Sequence, residues 1–199
     1  MSEVTFIRIP KNASTSLYTL FGESNSIRNE YLDSNNRRYL GIFESSHCEI
    51  DYAVNKLGSN ILDKPVVAVV RNPYDRLVSM YFFAKKYKLG KLYNIDLSTF
   101  DRFAIGFYEH SDDEDFFHAF PQVKFIGEED VSILRFENLQ NDLEQFIQEN
   151  SMDKIDVKQL KKLNSTEHRD YTEYYSRLSK SIVKNMWRED LDKFSYSFS

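Results

Sequence analysis

The chain has 199 residues, with 41% apolar and 15% aromatic side chains, enough for a packed core, which excludes wholesale disorder. Its formal charge of −5 excludes the net basic footprint of a non-specific nucleic-acid binder, so no nucleic-acid partner is expected. A single cysteine, Cys48, excludes an intrachain disulfide framework and a cysteine-based zinc site.

The length fits one domain over residues 1–199. The most apolar run, residues 65–70, is far too short to span a bilayer. The N-terminal segment lacks a basic flank followed by an apolar core, so no signal peptide or membrane span is expected, and the expected location is cytoplasmic.

In chain order, residues 4–9 form a short β-rich segment closed by Pro10. Residues 14–21 follow with helical spacing that puts Leu17, Leu20 and Phe21 on one face. The Asn/Ser-rich stretch 23–38 reads as a loop, residues 39–43 as a strand, and residues 48–57 as a helix stopped by Gly58. Residues 66–70 are the clearest strand, a continuous Val/Ala run expected to be buried on both faces. Asn72 before Pro73 then starts a helix with proline at its first position, carrying Leu77, Val78, Tyr81 and Phe82 on one side. Lys85, Lys86, Lys88 and Lys91 form a basic patch around Gly90. A helix over 100–107, an acidic loop at 111–115, a strand over 131–136 and helices over 139–147 and 171–191 complete the reading. Alternating strands and helices predict an α/β fold with a mainly parallel central sheet flanked by helices. Ligands of such sheets bind beyond the carboxyl ends of the strands, and two strand ends here carry unusual polar chemistry.

The first is Arg8-Ile9-Pro10-Lys11-Asn12-Ala13-Ser14-Thr15-Ser16, a strand, a tight loop and a helix start. A helix N-terminus exposes N–H groups and a positive dipole end, which suits an anion. Ala13 and Ser14 are small enough to let a phosphate approach, Thr15 and Ser16 add hydroxyls, and Lys11 adds a charge. The glycines of the GxxxxGK(S/T) signature are absent. The second is the strand that runs into Arg71-Asn72-Pro73, with Ser79 eight residues beyond Arg71. Arg71 places a guanidinium, the group suited to bidentate phosphate recognition, at the strand's carboxyl edge, and Ser79 can point back at the same anion. Asp75 and Arg76 read as local structure.

These segments resemble the sulfotransferases that use 3′-phosphoadenosine 5′-phosphosulfate (PAPS). Pro10-Lys11 through Ser16 is similar to their 5′-phosphosulfate loop, and Arg71-Asn72-Pro73 through Ser79-Met80-Tyr81 to their 3′-phosphate motif. The resemblance continues through Thr99 to Phe103, Leu134 to Leu139 with Asp142, Leu163 to Thr166, and Glu189-Asp190 to Tyr196, and it leans to the carbohydrate-type branch. It implies a P-loop-nucleotide-kinase-like sulfotransferase fold. It also implies PAPS as cosubstrate and a hydroxyl-bearing acceptor, a carbohydrate. By the resemblance Lys11, Ser14, Thr15 and Ser16 hold the 5′ phosphosulfate and Arg71 and Ser79 the 3′ phosphate; Asn12 and Ala13 complete the loop's expected contacts, and Lys161, Lys162, Asn164 and Ser165 are the expected lid over the nucleotide. Many relatives have His before Ile-Pro-Lys and Gly-Gly in the loop, where this chain has Arg8 and Ala13-Ser14.

Sulfuryl transfer needs positioning and charge stabilisation above all. The moving group carries less charge than a phosphoryl group, so no metal is expected, and Lys11 can neutralise the leaving oxygen. Neither strand 66–70 nor strand 131–134 runs into an Asp of the kind that holds Mg²⁺. The base is His47, with Glu44 second, because both follow the strand expected at 39–43. Two other readings stay open here: an ATP- and Mg²⁺-dependent P-loop kinase, and a catalytically silent nucleotide-binding module.

Overall fold

The computed structural model describes residues 4–21, 47–113, 116–152, 155–160 and 168–199. The strand expected at 39–43 and the candidate residues Glu44, Asn164 and Ser165 lie outside the described residues. Along the chain the elements are β1 Thr5–Ile7, α1 Ser14–Phe21, α2 Ile50–Leu57, β2 Val66–Val70, α3 Pro73–Lys86, α4 Gly90–Tyr93, α5 Phe100–Glu109, α6 Gln122–Ile126, β3 Ser132–Arg135, α7 Leu139–Glu149, α8 Arg177–Met186 and α9 Arg188–Lys193. They fall into two compact units, one from Met1–Val70 and Lys124–Asn164, the other from Arg71–Val123 and Ser165–Ser199.

The first unit holds a parallel sheet in the order β1-β2-β3. Thr5 pairs with Val66 and Ile7 with Ala68, while Val70 pairs with Arg135. Parallel pairing brings the carboxyl ends of β1 and β2 to one edge, so the loop after Ile7 and the chain leaving Val70 start from the same side of the sheet. Every residue of β2 is buried, as an unbroken Val/Ala run demands. Leu17 and Phe21 of α1 and Leu143, Phe146 and Ile147 of α7 pack on Phe6, Val67, Val69 and Leu134, so these two helices cover one sheet face. β1 is shorter than the expected 4–9 because its pairing with β2 stops at Ile7. β3 likewise stops at Arg135, whose N–H donates to the Asp142 carboxylate at 2.7 Å and turns the chain into α7.

In the second unit, Leu77, Val78 and Tyr81 of α3, Phe103 and Phe107 of α5, and Ile182 and Val183 of α8 pack with Trp187. The Asn72 side chain accepts from the Tyr74 N–H at 3.1 Å, so α3 starts with its cap and its N-terminal proline as expected. The single helix expected over 171–191 is instead three pieces. Tyr171–Tyr174 is one 3-10 turn, and Ser176 then opens α8 with a reciprocal capping box to Ser179. Trp187 leaves the helical region at φ −125°, ψ 38°, with its indole N–H donating to the Ala119 carbonyl at 2.7 Å, and α9 follows. The aromatic spacing runs through both breaks, so periodicity does not register them. Among the described residues no helix is long and apolar enough to cross a membrane.

Candidate functional site

The loop between β1 and α1 is shaped by main chain. The Asn12 N–H reaches the Ile9 carbonyl at 3.4 Å, closing a turn with Pro10 second and Lys11 third, and Lys11 has φ +68°. That is the pattern of a type II turn, with lysine where glycine is usual. Ala13 is also left-handed, at φ +55°, and its carbonyl accepts the first helical bond of α1 from the Leu17 N–H at 3.1 Å. Each left-handed L-residue costs roughly 1–2 kcal/mol, so the surrounding structure must hold the loop in this form. Asn12 does much of the holding: it is 1% exposed and its side-chain N–H donates to the Val69 carbonyl in β2 at 2.7 Å. Left-handed residues alternating into a helix start turn successive backbone N–H groups toward one concavity, the geometry of an anion nest. Ser14 and Ser16 are buried at this end of α1, while Lys11, Ala13 and Thr15 are half-buried.

His47 belongs to the same edge. Its Nδ1 lies 2.6 Å from the Arg8 carbonyl, one residue past β1. A carbonyl only accepts, so Nδ1 carries the hydrogen, and the neutral ring has its lone pair on Nε2. That tautomer suits a base, and the carbonyl also steadies the ring when it becomes cationic. His47 does not cap α2, whose N-cap is Glu49. The Arg8 guanidinium is buried and stacks over the Tyr18 ring at 4.7 Å. Burial, and then the Glu49 charge, push the Cys48 thiol up to about 12, so this neighbour is no thiolate at neutral pH.

The second unit begins with the other candidate socket. Arg71 follows β2 directly, and its side chain is only 8% exposed. Its Nε donates to the Asp75 carboxylate at 2.8 Å, one turn along α3. Asp75 therefore orients Arg71, a part that sequence reading assigned to local structure alone. Ser79, two turns into α3, is 4% exposed.

Behind Arg71 lies a polar network that sequence reading missed. Gln122 is fully buried; its Oε1 accepts from the Arg71 N–H at 2.8 Å and its Nε2 donates to the Arg71 carbonyl at 2.9 Å. Asp190 accepts from the N–H groups of Gln122 and Val123, at 2.8 and 2.9 Å. Arg76 lies 4.0 Å from Asp190, donates to the Phe120 carbonyl at 2.9 Å and stacks over Trp187 at 4.6 Å. Desolvation raises the Asp190 pKa against the pull of Arg76 and the N–H donors, and lowers that of Arg76 to about 10. The one sequence signal for this network was Asp190, through its segment's family likeness.

The structure thus gathers Lys11, Asn12, Ala13, Ser14, Thr15, Ser16 and His47 at the edge of the sheet in the first unit, and pairs Arg71 with Asp75 in the second. The nest at Lys11 and Ala13 fits phosphate-like oxygens. Among the described residues no group of three or more His, Cys, Asp or Glu side chains is arranged to hold a metal ion. Residues 3–152 match the family model described as the sulfotransferase domain. No curated protein matches the chain significantly.

Proposed function

The chain belongs to the sulfotransferase domain family, and we propose that it takes its sulfuryl group from PAPS and delivers it to a hydroxyl of a carbohydrate. Among the described residues, its three parallel strands flanked by helices are the α/β, P-loop-like fold of that family. The observation that carries the proposal is the loop from Pro10 to Ser14, whose two left-handed residues shape a main-chain cradle ahead of a helix N-terminus without glycine. Strain of this kind persists where the site has a use for it.

In this reading the backbone of Asn12 and Ala13, with the N–H and hydroxyl groups of Ser14, Thr15 and Ser16, binds the 5′ phosphosulfate. Lys11 stabilises the charge that grows on the departing phosphate oxygen. Arg71, oriented by Asp75, and Ser79 bind the 3′ phosphate. His47 Nε2 takes the proton of the attacking hydroxyl, while Nδ1–H stays on the Arg8 carbonyl. Glu44 is the second candidate for that proton, and Asn164 and Ser165 close over the nucleotide. PAPS supplies the sulfuryl group and leaves as the 3′,5′-bisphosphate. No step calls on a metal ion.

The test is transfer of labelled sulfate from PAPS to a panel of glycans. Transfer to at least one hydroxyl is expected, with His47→Ala slowing turnover by about 10²–10⁴-fold, the range for a lost general base. Phosphoryl transfer from ATP with Mg²⁺ in place of sulfuryl transfer would overturn the proposal. Tight bisphosphate binding with no transfer to any acceptor would replace the enzyme by a nucleotide-binding module.

A further inference from the structure

We propose that Gln122 is a positioning residue for Arg71, locked by Asp190, and that the chain's preference for a 3′-phosphorylated nucleotide depends on it. The inference rests on the reading of Arg71 as the 3′-phosphate ligand.

The register between β2 and β3 ends at the pair Val70–Arg135, so Arg71 stands one residue beyond the ladder. Its main chain finds a side chain instead. The Gln122 amide accepts from the Arg71 N–H at 2.8 Å and donates to the Arg71 carbonyl at 2.9 Å, the two bonds a neighbouring strand would make. Gln122 comes 51 residues later in the chain. The amide has one acceptor oxygen and two N–H donors. One N–H serves the Arg71 carbonyl and the other faces Asp190 Oδ2 at 3.2 Å. Turning the amide over would set its oxygen against a carboxylate and a carbonyl while facing its N–H groups to the Arg71 N–H. Asp190 therefore fixes which way Gln122 points. Asp190 is fixed in turn by the N–H groups of Gln122 and Val123 and lies 4.0 Å from Arg76. Arg71 is held at both ends, its backbone by Gln122 and its Nε by Asp75. A long side chain whose root and neck are both held loses little further freedom when it closes on an anion.

The experiment is equilibrium binding of 3′-phosphoadenosine 5′-phosphate and of adenosine 5′-phosphate to the full chain, its Gln122→Met variant and its Arg71→Ala variant, with Tm measured beside each. The quantity read is the ratio of the two affinities, which a loss of overall stability does not move. Gln122→Met keeps the length of the side chain and removes both bonds. It is expected to cut the preference for the 3′-phosphorylated nucleotide roughly tenfold, leaving the 5′-phosphate affinity unchanged. An unaltered ratio in Gln122→Met, with the ratio collapsed in Arg71→Ala, would overturn this inference alone. A ratio that survives Arg71→Ala would overturn the reading of Arg71, and the inference with it. If Gln122→Met does not fold, Asp190→Asn, which unlocks the amide at nearly constant shape, is measured in the same way. Its ratio is expected to fall severalfold, and an unchanged one would overturn the proposal.

Discussion

After β1 the chain shapes its proposed anion cradle from main chain, with left-handed residues at Lys11 and Ala13 and Asn12 tied to Val69, whereas after β2 it offers one long side chain, Arg71, and uses Asp75, Gln122 and Asp190 to hold it. The first socket stores strain and the second stores desolvated polar groups. They should therefore fail differently. A main-chain cradle is insensitive to trimmed side chains and sensitive to backbone freedom. A braced side chain is sensitive to each partner that is removed.

The largest expected effect lies in the brace. Asp190→Ala strips the fully buried carboxylate from two backbone N–H donors and from the buried Arg76. Breaking a buried ionic group in this way costs about 3–5 kcal/mol, and urea unfolding should read a loss of that size. A loss under about 1 kcal/mol would mean that the brace is no stronger than a surface pair. Lys11 gives the sharpest contrast. Lys11→Ala keeps the strained turn and removes the charge, so turnover should drop by about 100-fold or more, close to 2.7 kcal/mol of barrier. Lys11→Gly should lose as much turnover while holding or gaining stability, by up to about 1 kcal/mol, because glycine accepts a positive φ. Kinetics and denaturation on the two variants separate charge from strain, and a destabilised Lys11→Gly would contradict the strained-turn account.

Arg71→Ala should weaken binding of the 3′,5′-bisphosphate by about 1.5–3 kcal/mol in calorimetric titration. Equal weakening for a nucleotide without the 3′ phosphate would remove Arg71 from that contact. The smallest effect is at Ala13. Ala13→Gly relieves the left-handed alanine but loosens the unfolded chain, so stability should change by less than about 1 kcal/mol with turnover kept. A β-branched Ala13→Val should instead disrupt the loop, and an unaffected Ala13→Val enzyme would show that the main-chain shape does not matter.

The sheet was legible because its determinants are local: the Val/Ala run of β2 has one physical reading, and Asn72-Pro73 marks a helix start wherever it stands. Lys11 and Arg71 stood out because each follows a strand end. The loop's conformation was not legible, since Ala13 and Lys11 occupy positions where sequence reasoning looks for glycine, and only the backbone angles reveal it. Gln122 was hidden for another reason. It meets Arg71 across 51 residues and Asp190 across 68, and an isolated Gln carries no pattern. The break at Trp187 escaped notice because the indole's partner, the Ala119 carbonyl, is a main-chain group 68 residues away.

The most direct test of the nucleotide reading is a thermal-shift comparison on the unmodified chain, with 3′-phosphoadenosine 5′-phosphate in one arm and ATP with Mg²⁺ in the other. At about a hundredfold excess over Kd, a true ligand stabilises the fold by about 2.7 kcal/mol. The bisphosphate is predicted to raise Tm accordingly while ATP–Mg²⁺ leaves it unmoved; a rise with ATP–Mg²⁺ and none with the bisphosphate would contradict the account.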